Sequence, residues 1–233
     1  VSLAIVTDPF GKYNDSCLQQ VFKDVVIPFK EHFVVDLSRP LNEVVSRHHR
    51  YYARKSLKKV SIEVCQDPIQ FIEDWIALYD TLVQRHNIRG LSAFSNTAFV
   101  KQFSVPGLVM LRVVYENFTV GAQLWFTQDD IGYSHLTAFN EVAYKLRASY
   151  GLYWAALEYF SKKLRWLDLG GAAGLKQDNS DGLTLFKRGW SAGTRPAYFC
   201  GRIFNQHKYD EIVQLKNVIA HDYFPAYRHN ELV

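Results

Sequence analysis

Short runs of β-branched and aromatic residues alternate along this chain with longer segments in which apolar side chains return every three or four positions, as in a mixed α/β protein. Residues 3–6 predict a strand, closed by a turn at Pro9-Phe10-Gly11, with a helix over 16–26 and a strand over 32–37 behind it. Ser38-Arg39-Pro40 ends that segment. Residues 47–59 are helix-forming and run into a β-branched strand at 60–64. Asp67 as N-cap and Pro68 in the first helical position predict a helix whose apolar stripe is Ile69, Ile72, Ile76, Tyr79 and Val83. Past Arg89-Gly90 and a short helix at 96–103, strands are predicted over 108–115, 119–127 and 131–137. Their short polar connections imply an antiparallel meander. A helix with the stripe Tyr153, Ala156, Leu157, Phe160 and Leu164 then leads to a strand at 166–169 and the loop Gly170-Gly171-Ala172-Ala173-Gly174. Ordered runs at 183–190 and 196–203 and a helix over 209–219 close the chain.

Composition narrows the class. With 233 residues, 48% of them hydrophobic and 15% aromatic, the chain buries a full core. Every apolar run is interrupted by charge well short of the roughly 18 residues a membrane helix needs, and Val1-Ser2-Leu3-Ala4-Ile5 lacks a signal peptide's basic start. The reading is a soluble, cytoplasmic protein with no membrane insertion. Its N-terminal α/β segment covers residues 1–40 and its main domain 41–233. Cys17, Cys65 and Cys200 form no CxxC pair, so neither a disulfide framework nor a cysteine zinc site is suggested. His48 and His49 are adjacent and diverge on a helix, while His221-Asp222 and His229 lack a third ligand, so no metal is predicted. The glycine-rich loop at 170–174 lacks GxGxxG spacing, which excludes a Rossmann site. A net charge of +4 permits an anionic ligand, and the basic residues concentrate between Arg47 and Lys59.

The motifs Leu167-Asp168-Leu169-Gly170-Gly171 and Phe186-Lys187-Arg188-Gly189-Trp190, with Gly182-Leu183 between them, resemble those of the Fem-type peptidoglycan-bridge aminoacyltransferases. They equally resemble the acyl-CoA-using BioF2-like acetyltransferases of the GNAT superfamily. Arg50 and Arg54-Lys55, in a helix before a β-branched strand, match the opening of that domain. The resemblance covers residues 40–205 and implies a GNAT-like α/β fold of the α+β type, with an antiparallel central meander and flanking helices. It also implies that residues 1–37 end a first GNAT-like half. Many GNAT enzymes place Arg/Gln-x-x-Gly-x-Gly/Ala after the central strand, whereas this chain has Arg147-Ala148-Ser149-Tyr150-Gly151-Leu152.

Acyl transfer needs a site for the donor's phosphates, a deprotonated acceptor and charge stabilisation at the reacting carbonyl. Arg147, Ala148, Ser149, Tyr150 and Gly151 precede a helix, so their amides and the Arg147 guanidinium suit a pyrophosphate; an ordinary helix start with a surface arginine is the plainer reading. Lys187 either covers core aromatics or meets a phosphate or oxyanion, and the resemblance implies the second. Asp168 is either a base at the open end of the sheet or an acceptor for loop amides. His135 shares a predicted face with Tyr133 and Thr137 and is a candidate proton acceptor, against a structural hydrogen-bonded histidine. Tyr153 could protonate a leaving thiolate, but it lies on the apolar stripe. The resemblance therefore implies transfer from acetyl-CoA or another acyl-CoA, without metal, to an amine or hydroxyl of a small molecule or cell-envelope or polysaccharide precursor. Aminoacyl-tRNA is the alternative donor. A non-catalytic module binding RNA or an anionic polymer through the basic helix is the alternative function.

Overall fold

The computed structural model describes residues 1–90, 93–172, 181–218 and 223–229. Ala173 and Gly174 of the glycine-rich loop, Ile219 at the expected end of the last helix, and His221 and Asp222 lie outside the described residues. The chain divides into two compact units, one of residues 1–32, 89–92 and 195–233, the other of 33–88 and 93–194.

In the first unit, β1 (Ser2–Val6) pairs antiparallel with β8 (Gly193–Ile203), from Ser2 opposite Ile203 to Val6 opposite Phe199. α1 (Asp15–Val21) is shorter than expected, because β2 (Val25–Asp36) already begins at Val25. Pro28 reads as a break in the sequence, yet its fixed backbone angle is compatible with extended chain, and Val25-Val26-Ile27 is β-branched. α9 (Gln206–Leu215) is capped by Asn205, whose side chain accepts the Lys208 amide. Tyr209 of α9 stacks on Phe224.

The second unit holds the rest of the fold. Its strands are ordered with the end of β2 beside β7 (Trp166–Asp168), then β6 (Ile131–Phe139), β5 (Phe118–Gln128), β4 (Leu108–Tyr115) and β3 (Ser61–Val64). β3 to β6 form the expected antiparallel meander, and β6 pairs parallel with β7. That parallel pairing spans only Ile131–Tyr133 against Trp166–Asp168, so β6 continues from Ser134 to Phe139 past the end of β7.

Helices cover both faces of this sheet. On one, α3 (Arg47–Leu57) and α7 (Ala148–Phe160) pack over Leu111, Val113, Val120, Trp125 and Phe139. On the other, α4 (Ile72–His86) and α5 (Asn96–Phe103) pack over Met110, Ala122, Leu124 and Ala138. Alternation along β4 and β5 assigns neighbouring residues to opposite cores, as strand geometry requires. α3 is preceded by the short α2 (Leu41–Val44), α7 by α6 (Glu141–Lys145), and α8 (Gly182–Arg188) follows β7.

Two expectations are corrected here. Asp67 takes the N-cap position with Pro68 first behind it, as expected, but of a 3₁₀ turn, Pro68–Phe71, and its carboxylate accepts the Gln70 side-chain amide instead of a backbone amide, while Ile69 is exposed. His135 does not share a face with Thr137. A bulge where Leu124 opposes Leu136 and Trp125 opposes Ser134 leaves His135 as the extra residue of β6. Ser134 and Thr137 therefore face α7, bonding the Tyr153 hydroxyl, while His135 turns to Gln102 of α5.

Candidate active site

A hydrogen bond from Lys187 joins the two sequence motifs. Asp181 caps α8, its carboxylate accepting the Leu183 and Thr184 amides at 2.7 and 3.0 Å and the Thr184 hydroxyl. These bonds, the Thr184 hydroxyl first among them, hold the Asp181 carboxyl below its ordinary range. α8 thus fixed carries Lys187 in its last turn, where the ammonium donates to the Gly171 carbonyl at 2.6 Å. Asp168, buried at the end of β7, accepts the Gly170 amide at 2.7 Å. Gly170 turns through φ +74°, and its missing β-carbon would lie 3.3 Å from Lys187 Nζ. Lys187 and Asp168 are accordingly brought to the same glycine turn, one from each side.

His135 is elsewhere. Its Nε2 lies 3.0 Å from Gln102 Oε1 and its ring packs against Phe94 and Phe126, on the face of the sheet opposite α7. Burial lowers its pKa.

The segment from Arg147 to Gly151 starts α7. Arg147 itself is left-handed (φ 54°) and breaks α6 from α7, so the buried Ala148 and the neighbouring Ser149 begin α7 with first-turn amides that have no carbonyl of their own helix to bond. Arg147, Ser149 and Tyr150 line a cavity of about 170 Å³ with Phe139, Ala143 and Tyr144. The Arg147 guanidinium lies 4.3 Å over the Tyr52 ring, and a second cavity of about 160 Å³ beside it is lined by Tyr52, Lys55, Lys59 and Lys145 with no carboxylate. Gly151 faces α3: a β-carbon there would meet Ser56 Oγ at 2.9 Å, so this glycine serves the close approach of α3 and α7. Tyr153 is buried, and its hydroxyl reaches Thr137, Ser134 and Gln123 across the end of β6. Burial pushes the phenol up and these bonds partly offset it.

A larger cavity, about 600 Å³, lies between the start of α3, Tyr150 and α8, lined by Ser46, His48, His49, Leu185, Phe186 and Arg188 among others. Its buried wall is His49. The His49 Nε2 is 3.0 Å from the Phe186 carbonyl and its Nδ1 2.8 Å from the Ser46 hydroxyl. Tyr150, Phe186 and Trp190 surround the ring with centroids 5.0 to 5.5 Å away. Burial lowers the His49 pKa, the Phe186 carbonyl opposes that shift and His48 adds to it. The Phe186-to-Trp190 motif therefore builds the His49 pocket as well as presenting Lys187.

No protein-family model and no curated protein sequence matches the chain. Among solved structures it is similar to the C-terminal domain of a putative lysylphosphatidylglycerol synthetase from Agrobacterium fabrum, with TM-score 0.61 and 13% identity over 77% of this chain and 62% of that one. It is similar to FemX, with TM-score 0.59 and 13% identity over 80% of this chain and 64% of that one. The L-PGS structure from Bacillus licheniformis gives TM-score 0.58 and 17% identity over 82% and 65%. The fold is GNAT-like. The chain spans less than two thirds of the length of each of these three structures.

Ser46 and Arg188 were not among the site residues expected from the sequence, and His49 was weighed there only as a metal ligand. The spacing Ser46-x-x-His49 at the start of a basic helix was the available signal, because it puts a hydroxyl cap and a ring on the same first turn. No helix among the described residues is long and apolar enough to cross a membrane, and no group of His, Cys, Asp or Glu there could hold a metal ion.

Proposed function

We propose that this chain is an acyltransferase that takes an acyl group from an acyl-CoA thioester and delivers it to an amine or hydroxyl of a small molecule or cell-envelope precursor. The observation that carries the reading is the anion-ready start of α7. Ser149 in the first turn, Arg147 and three lysines border two cavities, both touching Arg147, that no carboxylate lines. A pyrophosphate suits amides at a helix N-terminus. Lys55, Lys59 and Lys145 would meet a further phosphate of the same donor. The donor's thioester supplies an activated carbonyl, and the residues of this chain bind it, orient it and stabilise charge. In this reading Lys187, held at the Gly170-Gly171 turn, places an ammonium beside the path of the developing oxyanion, and Asp168 fixes that turn.

The test is ligand-induced stability. A donor at about 100 times its Kd stabilises the fold by about 2.7 kcal/mol, which at roughly 2–4 °C per kcal/mol for a chain of this size moves the melting temperature by about 5–11 °C. Acetyl-CoA should produce such a shift in the wild type, and Arg147→Ala combined with Lys59→Ala should remove most of it. No shift with any acyl-CoA, with protection by aminoacyl-tRNA instead, would move the donor to tRNA. A salt-sensitive RNA complex lost on neutralising Arg50, Arg54 and Lys55, without turnover of either donor, would favour the binding module.

A further inference from the structure

We infer that Ser46 and His49 form a nucleophile and base pair that carries the acyl group covalently between donor and acceptor; this rests on the acyl-transfer reading but not on which donor supplies the group. The tautomer follows from the partners. A carbonyl oxygen only accepts, so the Nε2 facing the Phe186 carbonyl at 3.0 Å carries the hydrogen. Nδ1 is then the basic nitrogen, and the Ser46 hydroxyl 2.8 Å away donates to it. This is the arrangement an activated serine requires: a hydroxyl within hydrogen-bond reach of an imidazole that a third group holds in one orientation.

Several independent features fix the pair. The imidazole is 7% exposed and caged by Tyr150, Phe186 and Trp190, so it has one position. The backbone of Ser46 is pinned from the other side, its amide donating to the Gly189 carbonyl at 2.9 Å. Ser46 stands exposed at the cavity of about 600 Å³, while His49 forms the cavity's buried wall. Helix capping alone asks less of these residues. Ser46 caps α3 by accepting the His49 amide at 3.3 Å, and that bond needs no imidazole and no cavity. It also stabilises charge on the same oxygen once the proton leaves. The first-turn amides of Arg47 and His48 have no carbonyl of their own helix to bond.

The step balances without another reagent. The Ser46 oxygen bonds to the donor's acyl carbon as its proton passes to His49 Nδ1. The bond to the leaving sulfur or oxygen breaks, that atom takes the proton from Nδ1, and an ester on Ser46 remains. An acceptor amine or hydroxyl then gives its proton to Nδ1 and attacks the ester, and the Ser46 oxygen recovers the proton as it leaves. Burial keeps the imidazole neutral and able to accept at neutral pH.

The full chain mixed with p-nitrophenyl acetate tests this. Wild type should release a stoichiometric burst of nitrophenol and gain one acetyl group on the peptide containing Ser46. Ser46→Asn keeps a capping side chain and should melt like wild type with no burst. His49→Gln should slow acylation by about a hundred- to ten-thousand-fold. Ser46→Cys, read by trapping of an acetyl thioester, covers the case in which the Asn variant does not fold. No adduct on Ser46 of the wild type, or an unchanged burst in Ser46→Asn, overturns the relay. The two readings separate on acetyl-CoA. If Ser46→Asn still consumes it at the wild-type rate, the relay fails and direct transfer stands. If Ser46 is acetylated by the nitrophenyl ester while acetyl-CoA neither binds nor reacts, the relay stands and the CoA donor fails.

Discussion

Gly189 and His49 are so close that a β-carbon on the glycine would stand 2.0 Å from His49 Cε1. The glycine of the second motif is therefore a packing requirement of a histidine far away in sequence. Gly189→Ala must push a ring that Ser46 and Phe186 hold by both nitrogens, at an expected cost of about 1–3 kcal/mol from overpacking. Urea denaturation of Gly189→Ala, His49→Ala and the double variant measures the coupling. The alanine at 189 should cost much less once the imidazole is gone, and strictly additive losses would contradict the contact.

Lys187→Met keeps the apolar stem on Phe186's helix but removes the donor to the Gly171 carbonyl. Hydrogen bonds from charged groups contribute about 1.5–3 kcal/mol, and partial exposure of Lys187 sets the expectation at about 1–2 kcal/mol. The measurement is urea unfolding of Lys187→Met against wild type, with Lys187→Arg recovering part of the loss. A Met variant as stable as wild type would show that this bond adds nothing.

The features most legible in the sequence are those set by neighbours in the chain. β4, β5 and β6 are strand-forming runs joined by short polar turns, so their antiparallel order follows from local pattern. The stripe of α7 was readable for the same reason, with Tyr153, Ala156, Leu157 and Phe160 all buried. What escaped depends on distant partners. His135 changes face because of a bulge against β5, which no period-two count of β6 alone can locate. His49 acquires its role from Phe186, 137 residues on, and from the glycine three positions further. Lys187 and Asp168 stood out through their motifs, but only the fold puts both on the Gly170-Gly171 turn.

Cysteine reactivity should sort by burial. Cys17 is exposed on α1, whereas burial pushes the Cys65 thiol up to about 11 and also raises that of Cys200. A thiol that stays protonated and shielded is a poor nucleophile. Titration with a disulfide reagent at pH 8 should therefore modify Cys17 quickly and the other two only after denaturant is added. Fast reaction of a second thiol in the folded protein would refute the burial of Cys65 or Cys200.

The two caged histidines give the fold a pH dependence whose sign can be worked out. His49 and His135 both have their pKa lowered, burial being the largest cause in each. In the unfolded chain each titrates near its ordinary value of about 6.5. As pH falls through that value the unfolded chain binds protons that the folded chain refuses, so stability is complete above about 6.5 and declines below it, towards the lower folded pKa values. The groups facing His135 are Gln102, Phe94 and Phe126, none of which titrates, so its contribution comes from burial. Carboxylates with lowered pKa, such as Asp36 and Asp181, lose their contribution only at more acid pH, because their unfolded values lie near 4. Unfolding free energy measured by urea between pH 7.5 and 5.5 should fall with pH in the wild type. The slope should flatten in His135→Gln, whose amide can still donate to Gln102, and flatten further when His49→Gln is added. An unchanged slope in the double variant would place the acid sensitivity outside these two cages.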